Sequence, residues 1–255
     1  MRTLSIIIPV YNEERFIVKV VEKVLGADTL GLKKEIVIVD DASTDKTVEK
    51  IKQFTLSFPR RRESRLDPRV KPEDDKYVSI RAIYKKKNEG KGAALKAGFA
   101  KATGDVLMVQ DADEEYSVKD YPALISPFIN EKTQVVYGSR NKKRENFHNR
   151  YSYLIYYWGG LALTWIINFL FGTQLTDQAT GYKLFSSKVK LLLLKPKENR
   201  FSYEVAITAL LAKSGYTIIE VPIHYKPRSI SEGKKINALD FIKSVIVAVK
   251  YVFSS

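Results

Sequence analysis

The stretch LSIIIPV, residues 4–10, is matched further along the chain by EIVIVD, residues 35–40. Both runs are short, rich in β-branched residues and almost continuously apolar. Parallel strands that are covered by helices on both faces have this pattern, because no face of such a sheet meets water. Each run ends in polar residues, so polar side chains are expected at the carboxyl ends of two buried strands.

Strand and helix patterns alternate outward from these two runs. Helices are predicted near residues 11–25, 47–54 and 92–102, and further strands at 78–84, 105–110 and 218–225. Such alternation predicts a doubly wound α/β sheet, mostly parallel, whose ligands bind beyond the carboxyl ends of the strands. A length of 255 residues suits one large core, and we expect a single domain over residues 1–255.

Composition limits the chemistry. Cysteine is absent and histidine occurs only at His148 and His224, so Cys/His zinc sites and cysteine nucleophiles are excluded. The lack of disulfides, and of a signal pattern after Met1, predicts a cytoplasmic protein. A formal net charge of +14 indicates acidic partners, either phosphorylated substrates, an anionic membrane or nucleic acid. Nucleic acid is not expected, because no known binding motif for it is found.

An acidic cluster follows one predicted strand, in VLMVQDADEEY at residues 106–116. Asp111, Asp113 and Glu115 would point the same way if the strand continues through them. Mg2+ and Mn2+ prefer carboxylate oxygens, usually from one or two side chains, and take other ligands from water or phosphates. We therefore expect Mg2+ or Mn2+ with a diphosphate, held first by Asp113, then by Asp111, with Glu115 as a ligand directly or through water. The alternative is a solvated acidic turn.

A glycine-rich segment, NEGKGAA at residues 88–94, opens the third predicted helix. It has neither the spacing of a P-loop nor that of a dinucleotide-binding turn. Gly90 and Gly92 around Lys91 would let backbone amides and one ammonium face an anion, so Lys91 is a candidate for binding the expected diphosphate ligand. A plain glycine-rich turn is the alternative.

Seven motifs together resemble the inverting GT-A-fold glycosyltransferases of family 2, and within them the polyprenyl- or dolichol-phosphate sugar transferases, the dolichol-phosphate mannosyltransferase-like group. They are IIIPVYNEE at 6–14, IVDDASTDKT at 38–47, NEGKGAALKAGF at 88–99, QDADEEY at 110–116, VVYGSR at 135–140, TDQATGYK at 176–183 and EVPIHYKPRSISEGKKI at 220–236. They occur in the family's order and cover most of the chain. The resemblance implies a GT-A, Rossmann-like fold with a mostly parallel sheet flanked by helices.

The resemblance also implies roles for individual residues. It assigns the nucleotide to Pro9, Tyr11, Glu13, Val39 and Asp41. It places Asp111, Ala112 and Asp113 around the metal and the diphosphate. It also implies that the phosphate charge of the donor or the acceptor is bound by Arg140, Arg228 and Lys234. Arg228 and Lys234 are two cations on one loop, and such cations are poor candidates for burial without an anionic partner. The alternative is that both are solvated loop charges.

The expected reaction is direct displacement at the anomeric carbon of a hexose by an acceptor oxygen, with a nucleoside diphosphate leaving. GDP-mannose or a UDP-hexose is the expected donor, and a polyprenyl phosphate the expected acceptor. Such a phosphate needs no strong base, whereas a saccharide hydroxyl in surface-polysaccharide synthesis would need one, for which Asp177 is the candidate. Asp177 is equally an acceptor-site residue or a structural residue that orders the turn at Gly181. A non-catalytic module that binds nucleotide sugars is the third alternative.

Residues 151–176 contain no charge, both tryptophans and eight aromatic residues in all. A single span here would put the acidic cluster and the EVPIHYKPRS segment on opposite sides of a membrane. We therefore expect two shorter amphipathic helices in the membrane interface, broken near Gly159–Gly160, with Lys142, Lys143, Arg144 and Arg150 meeting anionic headgroups. A buried helical pair in a soluble domain is the alternative.

The expected location is thus the inner face of the cytoplasmic membrane, with peripheral attachment or a separate membrane-protein partner. Peripheral attachment or a partner is expected because Leu239–Phe253 is too short and too charged to span the bilayer.

Residues 57–75, SFPRRRESRLDPRVKPEDD, fit none of the motifs and resemble a translated palindromic repeat. We expect them to form an inserted surface loop away from the site.

Overall fold

The computed structural model describes residues 1–57, 78–129, 132–142, 154–227 and 238–254. The predicted insertion, apart from Ser57, lies outside the described residues, and so do Arg228 and Lys234.

Within these ranges the chain forms seven strands and eight α-helices. The strands are β1 (Thr3–Val10), β2 (Lys33–Asp40), β3 (Val78–Tyr84), β4 (Val106–Val109), β5 (Val135–Ser139), β6 (Lys183–Ser186) and β7 (Ile218–Pro222). The helices are α1 (Ile17–Gly26), α2 (Thr47–Ser57), α3 (Lys91–Lys101), α4 (Tyr121–Ile125), α5 (Leu154–Phe171), α6 (Lys190–Leu193), α7 (Ser202–Lys213) and α8 (Ala238–Phe253).

The strands form one sheet in the order β3-β2-β1-β4-β6-β5-β7. Strand β6 is antiparallel to both of its neighbours, and the other pairs are parallel. Six strands therefore run in one direction and bring their carboxyl ends to one edge. The mostly parallel α/β sheet predicted from the sequence is confirmed.

Alternation along the central strands divides the core between the two faces of the sheet. In β1, Ile6 and Ile8 pack with α1, whereas Ile7 on the opposite face packs with α3 through Leu95 and Phe99. Because both faces are covered, the strands read as continuous apolar runs.

Three element predictions are wrong in detail. The first helix begins at Ile17 rather than near Tyr11, because Asn12 has a positive φ of 52° and turns the chain. Strand β4 ends at Val109, so it does not continue through the acidic cluster, where Glu114 has a φ of 61°. The last predicted strand stops at Pro222 instead of Tyr225.

The predicted pair of helices after residue 151 is also wrong, because α5 is one continuous helix of 18 residues. Gly159 and Gly160 lie inside it without breaking it. The Thr164 hydroxyl donates to the Gly160 carbonyl at 2.8 Å within this part of the helix. Among the described residues, no helix is both long and apolar enough to cross a membrane.

Candidate active site

The polar residues that follow β2 and β3 meet at the carboxyl edge of the sheet. The Asp41 carboxylate, which is almost fully buried, accepts from the Gly90 amide at 2.6 Å and from the Glu89 amide at 3.2 Å. Lys85 forms an ion pair with the same carboxylate at 2.6 Å. The amides before α3 were expected to face a bound anion, but here the anion that they face is Asp41.

Two glycines allow this loop to lie against the start of α7. Gly90 has a φ of +101°, and a Cβ there would lie 2.8 Å from the Asn199 carbonyl oxygen. A Cβ on Gly92 would overlap the Tyr203 side chain. The Ala93 amide donates to the Asn199 carbonyl at 2.9 Å, which joins the two elements. The glycines therefore serve a close approach of two backbones as well as a turn.

A chain of alternating charges begins at Lys91 on the first turn of α3. Its ammonium lies 2.8 Å from Asp111 Oδ1 and 2.8 Å from Glu204 Oε1. Glu204, on α7, also pairs with Lys183 of β6 at 3.0 Å. These four side chains are largely shielded from water, so each charge depends on its neighbours for compensation.

Within this chain, Glu204 and Lys91 favour each other's ionised forms. Burial alone would raise the pKa of Glu204, but the ammonium groups of Lys183 and Lys91 lower it to about 2. Burial alone would lower the pKa of Lys91, whereas Asp111 and Glu204 raise it well above its usual range. The Glu204 carboxylate and the Lys91 ammonium are therefore both charged near neutral pH.

The remaining acids of the cluster lie in a turn. Asp113 Oδ1 accepts from the Glu115 amide at 3.2 Å, and Glu115 Oε2 accepts from the Tyr225 hydroxyl at 3.0 Å. Glu114 points elsewhere, toward Lys19 and Lys23 of α1. Gly181 lies directly beside Asp111, so that a Cβ there would overlap the carboxylate.

The side chains available as metal ligands restrict how a metal could bind. Within the part of the chain that the structure describes, no group of three acidic, histidine or cysteine residues is arranged to hold an ion. Asp111 and Asp113 nevertheless fit Mg2+ or Mn2+, which need only one or two protein carboxylates when substrate phosphates and water complete the shell.

Arg140, which follows β5, is held by Asp177. Its Nε and Nη2 atoms donate to the two carboxylate oxygens at 2.7 Å each, and its backbone amide donates at 2.9 Å. The guanidinium also lies 5.0 Å from the centre of the Tyr225 ring. Both Asp177 oxygens are thus engaged, an arrangement that suits a residue that orients Arg140 better than a free base.

Glu220 of β7 fixes the segment that carries Asp177. Its carboxylate accepts from the amides of Thr176 and Asp177 at 2.9 Å. At the turn that follows, the Gly181 amide donates to the Tyr116 hydroxyl at 2.7 Å. The turn at Gly181 is therefore ordered by Tyr116.

The residues assigned to the nucleotide lie at the ends of β1 and β2. Pro9 and Val39 are paired across the two strands, and Tyr11 and Glu13 follow β1. Val39 is fully buried and packs with Ala94, so its side chain is not open to a ligand. Ala112 is likewise buried, beside the acidic cluster.

Sequence reasoning missed Glu204, Glu220 and Tyr225 as parts of this site. Glu204 lies inside a helix, in SYEVAITALLAK, and nothing in that local pattern separates it from a solvated acid. Glu220 and Tyr225 stand within a quoted motif, but their contacts depend on segments distant in sequence.

Comparisons with known proteins agree with this architecture. The sequence model described as Glycosyl transferase family 2 matches residues 5–190. A UDP-N-acetylglucosamine–dolichyl-phosphate N-acetylglucosaminyltransferase of Methanococcus voltae is 31% identical over 242 residues, which cover 92% of this chain and 91% of that protein. The dolichol-phosphate mannosyltransferase of Pyrococcus furiosus is 27% identical, and the match covers 91% of this chain but 58% of that protein.

Among solved structures, glucosyl-3-phosphoglycerate synthase from Mycobacterium tuberculosis, in complex with Mn2+, UDP and phosphoglyceric acid, has a similar fold. Its TM-score is 0.67 at 17% identity, and the match covers 100% of this chain and 80% of the other. At this identity the likeness concerns the fold alone.

Proposed function

The chain belongs to glycosyl transferase family 2, and we propose that this enzyme moves a hexose from GDP-mannose or a UDP-hexose to a polyprenyl-phosphate lipid. The lipid acceptor is suggested by relatives whose names specify dolichyl phosphate or dolichol phosphate. The observation that carries the proposal is an exposed apolar face on α5. This helix leads into the segment with Asp177, the residue that pairs with Arg140.

The exposed face of α5 consists of Trp158, Trp165 and Phe169, which are 62%, 68% and 76% exposed. Their spacing of seven and four residues places them on one side of the helix. A soluble surface rarely exposes such a contiguous set of large apolar side chains, and tryptophan is favoured in the membrane interface. This face therefore supports contact with the lipid surface in which a polyprenyl acceptor resides.

Helix α8 packs against both α5 and α7 and extends the apolar surface. Its exposed apolar residues recur at helical spacing, namely Leu239, Ile242, Ile246, Val249 and Phe253. Lys243 and Lys250 are exposed on the same helix, where they can meet acidic headgroups. We propose an anionic membrane as a partner, with peripheral attachment at the inner face of the cytoplasmic membrane. A membrane-protein partner would be a second means of attachment.

The proposed reaction is an inverting displacement at the anomeric carbon, in which the nucleoside diphosphate leaves. Asp111 and Asp113 would hold Mg2+ or Mn2+, with Glu115 as a direct or water-bridged ligand. The ion, when bound, supplies positive charge that neutralises the leaving diphosphate. The Lys91 ammonium adds charge beside Asp111, and Pro9, Tyr11, Glu13 and Asp41 would hold the nucleotide.

The acceptor phosphate would act as its own nucleophile. A phosphate monoester has a second pKa of about 6, so its oxygen is ionised near neutral pH without a strong general base. The engagement of both Asp177 oxygens by Arg140 is compatible with such an acceptor. Arg140 would contact the acceptor or donor phosphate, and we keep Arg228 and Lys234 as further proposed phosphate partners.

Product analysis tests this proposal. The protein is incubated with Mn2+, a panel of labelled nucleotide sugars and polyprenyl phosphate, and lipid-linked label is separated by extraction. Label on the lipid is expected with GDP-mannose or one of the UDP-hexoses. Label on an added glycan, with none on the lipid phosphate, would instead establish the saccharide-hydroxyl alternative.

A further inference from the structure

Glu204 is a largely shielded acid to which none of the sequence motifs assigns a role. It lies on the first turn of α7 and separates two lysines, Lys91 on the side of the acidic cluster and Lys183 on the side of the sheet. A buried carboxylate that served only to neutralise Lys183 would not need a second cation at 2.8 Å. The contact with Lys91 therefore calls for a separate explanation.

Lys91 and Glu204 lie on elements that pack closely together, whereas Asp111 lies on a loop where a metal could compete with Lys91 for the carboxylate oxygens. The close approach of Gly90 and Gly92 to Asn199 and Tyr203 fixes the start of α3 against the start of α7. Glu204 and Lys91 thus belong to one packed unit. Asp111, by contrast, belongs to the acidic loop after β4, where a metal would share its oxygens.

We propose that Glu204 is a positioning residue for sugar transfer, which holds the Lys91 ammonium beside Asp111 at the place of the donor diphosphate. This inference rests on the proposed function. A lysine has a flexible four-carbon stem, so its ammonium needs an anchor to stay in one place when Asp111 turns its charge toward a metal. Glu204 supplies that anchor through a charge-assisted hydrogen bond.

The first test measures binding of UDP and of GDP in the presence of Mn2+ by calorimetry. Replacing Glu204 by Gln keeps the shape and removes the charge, so Lys91 loses its anchor. Because a hydrogen bond to a charged group contributes about 1.5–3 kcal/mol, Glu204→Gln should weaken binding of the preferred nucleoside diphosphate about tenfold or more. Binding as tight as that of the wild type would overturn the inference.

Glu198→Gln is the matched control. Glu198 lies just before α7 and pairs with Lys250 at 3.1 Å and with the Tyr251 hydroxyl at 2.8 Å, away from Lys91. The same change of charge on a neighbouring acid should leave nucleotide binding unchanged. An equal loss in both variants would indicate a general charge effect and would contradict a positioning role for Glu204.

A double variant separates positioning from stability. Glu204→Gln leaves the Lys183 ammonium buried without its carboxylate, which destabilises the fold for a reason unrelated to Lys91. Adding Lys183→Met removes that charge, so the unfolding midpoint should recover while nucleotide binding stays weak. Recovery of binding together with stability would show that Glu204 acts only through the core and would overturn the proposal.

The same measurements separate this inference from the proposed function. Wild-type binding of UDP or GDP without transfer to polyprenyl phosphate would refute the proposed acceptor, while the comparison of Glu204 and Glu198 variants would still decide the role of Glu204. A wild-type protein that binds neither nucleotide with Mn2+ would overturn both proposals.

Discussion

Single residues in this site act through charge compensation and close packing. Asp111, Lys91, Glu204 and Lys183 alternate in sign, so replacing any one of them removes an ion-pair partner from a neighbouring charge in a shielded place. Arg140 and Asp177 form a second pair with bidentate geometry. Effects at these positions are therefore expected to reach beyond the residue that is replaced.

Acid should reveal the charged state of Glu204. Its pKa is about 2 in the folded protein, against about 4.3 for glutamate in an unfolded chain. A depressed carboxyl pKa stabilises the fold above the unfolded value, and this stabilisation is lost as the pH falls through the folded value. Urea midpoints of wild type and Glu204→Gln should thus differ most at neutral pH and converge progressively as the pH falls from about 4 to about 2. A gap that widens in acid would contradict this assignment.

Gly181 should tolerate no side chain. Alanine there would place its Cβ on the Asp111 carboxylate and the Tyr116 ring, so one of them must move. Because a displacement of about 1 Å can cost about a hundredfold in rate, we expect Gly181→Ala to lower the transfer rate by that order. Gly159→Ala is the control, since nothing lies within 4 Å of a Cβ there, and it should keep full activity.

At the scale of elements, α5 differs most from its prediction. One continuous helix replaces the expected pair, and its buried side, with Leu163 and Ile167, joins the core beneath the sheet. Its opposite side carries the exposed tryptophans. A helix that is anchored by one face and apolar on the other is suited to hold the body of the enzyme against a lipid surface.

Replacing the outer face of α5 should separate membrane binding from nucleotide binding. Trp165 and Phe169 are exposed and stack with their ring centres 5.8 Å apart. Trp165→Ser with Phe169→Ser should lower the fraction that co-sediments with phosphatidylglycerol vesicles several-fold, and UDP or GDP binding should not change. Leu191→Ser, at a residue 77% exposed on α6, is the control and should bind vesicles normally. Unchanged vesicle binding in the α5 variant would exclude this face as the contact.

The inserted segment gives a second prediction at this scale. Deleting Pro59–Asp75 should leave the transfer rate intact, because the segment connects α2 with β3 and contributes none of the site residues described above. The measurement is lipid-linked product formed per minute by equal amounts of the deletion variant and the wild type. A large loss of rate would contradict the expectation that the segment is only a surface insertion.

The whole molecule combines a net charge of +14 with an apolar surface on α5 and α8. Salt should distinguish the two contributions to membrane binding, because the screening length falls from about 10 Å at 0.1 M to about 3 Å at 1 M ionic strength. We expect vesicle binding to weaken with salt but to persist in part for the wild type, whereas the α5 variant should be released almost completely. Equal salt dependence of both proteins would argue against an apolar contribution.

Local patterns in the sequence were sufficient for much of the fold. Continuous apolar runs identified the buried parallel strands, and the polar residues after them marked the edge of the sheet where the site lies, since both signals span only a few residues. The family motifs identified a glycosyltransferase for the same reason, because each motif is a short segment at one strand end.

Only the tertiary structure decided which distant groups meet. Lys91 and Glu204 are more than a hundred residues apart, and no local pattern records that α7 starts beside the start of α3. Packing likewise decides the turn that follows β4, the single helix α5 and the pairing of Arg140 with Asp177. The sequence by itself determined the sheet and the kind of chemistry at its edge. The tertiary structure decided the partner of each charge, because compensation of a buried charge depends on proximity in space and not on spacing along the chain.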